Sequence, residues 1–143
     1  METSTTGSPK ARSLRPHLQL VIPYTTPELT RAALKSAAVL AQDLGATMRL
    51  VGVHVVPYPC PLDHPDVANE HLKNKLAAVA WESALPVRAE VVYGRDRQAA
   101  FRQVLGPGAL VLLATRKHWW RTAQERLARS LSRAGHSVAL LVV

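Results

Sequence analysis

From Leu18 onward, short apolar runs alternate with longer stretches in which apolar residues recur at three- and four-residue spacing. LQLVIP (18–23) has the pattern of a buried strand and is closed by Pro23. In the segment TPELTRAALKSAAVLAQDLGA, Leu29, Ala33, Ala37, Leu40 and Leu44 share one helical face. Thr26 can cap that helix, Pro27 suits its first position, Glu28 lies near its positive dipole end and Gly45 sits where a C-terminal cap belongs. TMRLVGVHVV (47–56) reads as a second strand, and PYPCPLDHP (57–65), with four prolines, as a loop.

The alternation continues to the end. DVANEHLKNKLAAVAWESA (66–84) is helical in period, with Asp66 as its cap and Trp81, after Leu76 and Val79, expected in the core. PVRAEVVY (86–93) is the third strand, ended by Gly94; Arg95 to Leu105 is a short helix, stopped by GPG (106–108). Ala109 to Ala114 is the fourth strand, Arg121 to Ala134 the last helix and SVALLVV (137–143) a fifth strand. The order βαβαβαβαβ specifies parallel strands joined by right-handed crossovers, with helices on both faces of the sheet. Near-continuous Val and Leu in the second, fourth and fifth strands suits a sheet covered on both sides. The fold class is therefore α/β, a doubly wound single domain with four helices.

Composition adds bounds. At 143 residues and 48% hydrophobic content, the chain fits one domain with a substantial core. METSTTGSPKARSLRP (1–16) reads as a disordered basic tail, leaving 17–143 as the folded domain. It has no secretory apolar region, and no run in the chain approaches a membrane span. A single cysteine, Cys60, excludes an internal disulfide and points to a reducing, cytoplasmic compartment. The net charge is +8; Lys10, Arg12 and Arg15 against Glu2 account for +2 of it, leaving +6 on the body. That sign attracts anions in general without choosing a nucleotide, a nucleic acid or an acidic protein partner.

The junction LLATRKHWWRT (112–122) carries the most chemistry, since a strand end in an α/β sheet often cradles a phosphate. Around it, LVIP, AQDLGA, LVGVHVVPYP, VVYG, GALVLLA and ALLVV follow one another in an order and spacing that resembles the universal stress protein family, across nearly all of 18–143. The resemblance implies a five-stranded parallel sheet of order 3-2-1-4-5, with a ligand crevice between strands one and four. It also implies a homodimer in which the terminal strands, here Ser137 to Val143, pair. On this chain the crevice would be bounded by Tyr24, Thr25, Val55, Gly94, Ala114, Thr115, Arg116, Lys117 and Arg121.

One branch of that family holds ATP through Gly-x2-Gly-x9-Gly-Ser/Thr after the fourth strand and an Asp after the first. Glycines admit backbone N–H groups to the phosphates, and the last pair opens a helix whose dipole favours the anion. Here Thr25 stands at the Asp position, Ala114 and Lys117 at the first two glycines, and no glycine lies within Glu125 to Ala128. Only Gly94, after strand three, is kept. The resemblance therefore implies a degenerate ATP motif and no cofactor held in the usual ATP mode; with the motif glycines absent, ATP, ADP or AMP stays open only through another mode. The alternative is a rebuilt basic site in which Arg116, Lys117 and Arg121, with Arg95 and Arg97, converge on an anion, and Trp119 or Trp120 stacks on it.

Other constellations are weaker. Cys60, Asp63, His64, Asp66, Glu70 and His71 are ligand types for zinc, yet their spacing matches no common site, and no metal is expected. His54, among valines, reads as a packed or hydrogen-bonded histidine. Arg126, Arg129 and Arg133 share a face of the last helix, with Glu125 placed to pair with Arg129; a salt-bridged outward face is favoured there over a nucleic-acid footprint, for want of a recognised motif. No Gly-x-Ser-x-Gly elbow, Walker loop or spaced Ser, His and Asp set appears, so the chain is not expected to be an enzyme. The functional expectation is a stress-response regulatory domain.

Overall fold

The computed structural model describes residues 18–56, 67–106, 108–117 and 122–143. The tail 1–16, most of the Cys60–His71 ligand group, and Trp119, Trp120 and Arg121 lie outside the described residues. Five strands and four helices alternate: β1 (Gln19–Pro23), α1 (Pro27–Leu44), β2 (Thr47–Val55), α2 (Val67–Trp81), β3 (Arg88–Gly94), α3 (Arg97–Val104), β4 (Ala109–Thr115), α4 (Ala123–Arg133) and β5 (Ser137–Val142). The strands form one parallel sheet in the order β3-β2-β1-β4-β5.

Period-two alternation divides the core into two layers. On one face Leu20 and Ile22 of β1, Leu50 of β2, and Leu112 and Ala114 of β4 pack under Leu29, Ala33, Leu34 and Ala37 of α1 and Leu76 and Val79 of α2. On the other, Val21, Val51, Val111 and Leu113 meet Phe101 of α3 and Leu127, Ala128 and Leu131 of α4. Each central strand thus buries both its odd and its even residues, which is why β1 and β4 read as unbroken apolar runs.

Local chemistry fixes the ends. The Thr26 hydroxyl accepts from Leu29 N–H at 3.2 Å, and Gly45 closes α1 at φ 63°, a left-handed turn that suits a residue without Cβ. Asp96 caps α3 by accepting from Gln98 N–H at 2.9 Å. Thr122 caps α4, so that helix begins at Ala123, two residues later than the pattern suggests. β3 likewise starts at Arg88 rather than Pro86. Trp81 departs further from expectation: it is 90% exposed. It lies two residues beyond Val79, about 200° around the helix axis from that buried side chain, so α2 turns it to solvent.

Candidate functional site

The strand order reverses between β1 and β4, whose carboxyl ends therefore open the crevice where doubly wound sheets place ligands. Tyr24 extends β1 by one bond, its N–H donating to Val51 O at 2.8 Å. Its ring packs on the α1–α2 layer, and its hydroxyl is buried without a hydrogen-bond partner among the described residues. Burial pushes the Tyr24 pKa up, opposed by Arg31 and reinforced by Glu28. The next residue, Thr25, turns away from the sheet, its N–H donating to the Thr30 hydroxyl at 3.1 Å inside the first turn of α1.

At the end of β4, polar groups close on one another. Thr115 is buried, and its hydroxyl lies 2.7 Å from that of Thr122, the cap of α4. Thr122 Oγ1 accepts from Glu125 N–H at 3.2 Å, and Glu125 Oε1 accepts from Thr122 Oγ1 at 3.4 Å. A helix start would otherwise present free N–H groups and a positive dipole end to an anion. Here the Thr122 hydroxyl takes one of those N–H groups, that of Glu125, and the Glu125 carboxylate lies against that hydroxyl. The strand end is equally engaged: Lys117 N–H donates to Val143 O at 3.3 Å, and Val143 N–H to Thr115 O at 2.9 Å. The N–H of Lys117, at the position of the second motif glycine, is thus taken by the last residue of the chain.

The basic side chains divide into two groups. Arg97 folds inward, donating from Nη2 to Tyr24 O at 3.2 Å and lying 5.8 Å from the Phe101 ring centroid. Burial pulls its pKa down from the ordinary guanidinium range. Arg95 donates from Nη1 to Val56 O at 3.0 Å. Both therefore stitch the α3 start onto the ends of β1 and β2. Arg116 and Lys117 are exposed and, among the described residues, form no ion pair. The structure accordingly brings Tyr24, Thr25, Ala114, Thr115, Arg116 and Lys117 to the ends of the two switch-point strands, and adds Arg97 through Tyr24. Arg121 lies outside the described residues.

Val55 and Gly94 belong to the neighbouring strands. Val55 is 46% exposed at the end of β2 and is paired in register with Gly94. Gly94 has a packing reason of its own: a Cβ there would lie 2.8 Å from Ala100 Cβ, so the glycine lets α3 approach β3. His54 meets Tyr93 edge-on, ring centroids 6.0 Å apart, as a packed histidine does. Among the described residues no group of three His, Cys, Asp or Glu side chains could hold a metal ion. Among them, too, no helix is long and apolar enough to cross a membrane.

Sequence reasoning missed the Thr115–Thr122 hydroxyl contact and the Arg97–Tyr24 lock. The first leaves a faint signal, a threonine closing an apolar strand and a second one with Glu three residues after it, the pattern of a capping box.

No protein-family model and no curated protein matches the sequence. Solved structures do match. A universal stress protein from Archaeoglobus fulgidus superposes with a TM-score of 0.64 at 12% identity, over 87% of this chain and 93% of that one. A universal stress protein solved in complex with cAMP gives 0.49 at 14% identity, over 90% of this chain and 98% of that one. The chain has the universal stress protein fold: a doubly wound five-stranded parallel sheet with four helices.

Proposed function

We propose that this chain is a universal-stress-protein-like regulatory domain of the stress response, dimeric through its terminal strand and holding no ATP in the usual family mode. On this reading it acts through contact with another protein copy rather than through catalysis, in the cytoplasm. The observation that carries it is the sheet edge. Among the described residues β5 pairs with β4 alone and leaves Leu140, Val142 and Val143 40%, 55% and 55% exposed. An unpaired apolar edge strand invites another strand, and a second copy offers the same edge under a two-fold axis. The capped helix start supports the nucleotide part of the reading, because a phosphate there would compete with the Thr122 hydroxyl for the Glu125 N–H and lie near the Glu125 carboxylate.

The dimer is tested by light scattering at micromolar concentration, with a mass of two chains expected. Leu140→Lys with Val142→Lys places charges on that edge and is expected to return a mass of one chain while far-UV dichroism is unchanged. A wild-type mass of one chain, or a variant that stays dimeric, rules out this interface.

A second reading rests on the exposure of Arg116 and Lys117 without ion pairs among the described residues: a phosphate-bearing anion held by those two residues with Arg121. Guanidinium and ammonium groups can bind an anion where backbone N–H groups are taken.

A further inference from the structure

On the face of the sheet opposite α1 and α2, helices α3 and α4 border a groove of about 550 Å³ lined by Gln98, Arg102, Arg126, Arg129, Ser130 and Arg133. Gln98 and Arg102 are one turn apart on α3, and Arg126, Arg129 and Arg133 follow one another along α4. Both helices are seated by their buried faces, Phe101 on one and Leu127 and Leu131 on the other, so the arginines stand on the outward side. All four are exposed.

Salt bridges would neutralise such a row, and among the described residues none does so at Arg102, Arg129 or Arg133. Glu125 faces the Thr122 hydroxyl, and the pair with Arg129 that its spacing suggests is not formed. Asp96, at the start of α3, is engaged as its cap. Among the described residues Arg102, Arg129 and Arg133 form no ion pair, and Arg126 donates to Thr122 O at 3.4 Å. No acidic side chain lines the groove among the described residues.

We infer that this groove binds the phosphate backbone of nucleic acid without reading its bases. The length of the row supports this occupant: Arg126 to Arg133 spans about 10 Å at ~1.5 Å per residue, about three axial steps of ~3.4 Å along one strand of a duplex. Exposed guanidiniums in a row suit a chain of charges passing along an open groove, whereas a small anion is normally enclosed by buried polar groups. No aromatic ring among the described residues lines the groove for base stacking, so contact is confined to the backbone. The chain's net charge of +8 adds a long-range field that draws a polyanion in. This site is separate from the switch-point crevice and stands whether or not that crevice binds an anion.

The test is fluorescence anisotropy of the full chain with a labelled DNA duplex of two helical turns, across a salt series. The wild type is expected to bind at low salt, with log affinity falling linearly against log salt. Arg102→Gln, Arg129→Gln and Arg133→Gln together are expected to flatten that slope by about 2–3, at ~0.9 for each phosphate left without its guanidinium. Arg129→Gln alone should flatten it by about 1 and guards against a fold defect in the triple variant. Lys35→Gln, Lys75→Gln and Arg88→Gln remove the same charge from other exposed sites and should leave the slope nearly unchanged. Equal losses in the two triple variants, or no duplex binding by the wild type, overturn the inference. Displacement of duplex by tripolyphosphate or polyglutamate at equal charge concentration overturns it too, in favour of a small-anion or acidic-peptide site.

Discussion

Phe101→Ala is expected to cost about 3–5 kcal/mol of stability, as leaving an aromatic-sized cavity does in a packed core. Phe101 is the chain's one phenylalanine and is fully buried. It belongs to the core layer of Val21, Val51, Val111, Leu127 and Leu131, on the helix seated against β2, β3 and α4, and Arg97 lies over its ring. The rest of that layer is buried Val, Leu and Ala, with no second aromatic ring among the described residues to refill the space. The loss is a large share of the ~5–15 kcal/mol that holds an ordinary domain together. Urea denaturation should show a lower midpoint with an unchanged slope, and Phe101→Leu should recover most of the difference. A cost below about 1 kcal/mol would mean that α3 is not seated on the sheet as described.

The second large effect concerns the ion pair between Arg49 of β2 and Glu90 of β3, on neighbouring strands. Their side chains are only 16% and 25% exposed. Arg49 also donates to Gln19 Oε1 and Val104 O, both at 3.1 Å, tying β1, β2, β3 and the end of α3 together. Burial, and then the nearby Arg88, pulls the Arg49 pKa down, so its charge is already held at a cost. Glu90→Gln removes the compensating carboxylate and is expected to destabilise by roughly 2–3 kcal/mol, somewhat less than breaking a fully buried pair would. Replacing both partners, Arg49→Met with Glu90→Leu, should cost less than Glu90→Gln alone, because no stranded charge remains. Denaturant unfolding of the double variant and of each single one measures this, and a double variant costing the sum of its singles would exclude the coupling.

The sequence made the sheet legible because both layers are written into consecutive residues. Leu20, Val21 and Ile22 face alternate sides and are all apolar, as are Val111, Leu112 and Leu113. Caps were readable for the same reason: Thr26 and Gly45 act within a few residues of themselves, whereas Asp96, read as part of the short helix, is its cap. Trp81 was misplaced because spacing from the nearest apolar neighbours was read without its angle about the helix axis. The crevice was readable as a location and not as chemistry. Whether an arginine faces a ligand or a carbonyl depends on residues far away in sequence, and Arg97 reaches Tyr24 across 73 positions. Likewise the bond that takes Lys117 N–H comes from the final residue, Val143. The arginine row on α4 was visible, but its partner Arg102 comes from another helix, and only the packed α3–α4 pair joins them.

Calorimetric titration with ATP and AMP at low salt tests most directly the proposal that this fold holds no nucleotide in the usual mode. Wild-type protein is expected to give no saturable heat at micromolar nucleotide. If binding appears and vanishes in Arg116→Ala with Lys117→Ala, the rebuilt basic site is the correct reading of the crevice. Saturable ATP binding that survives in that variant would contradict the account, because it would require the start of α4 to accept a phosphate despite Thr122 and Glu125.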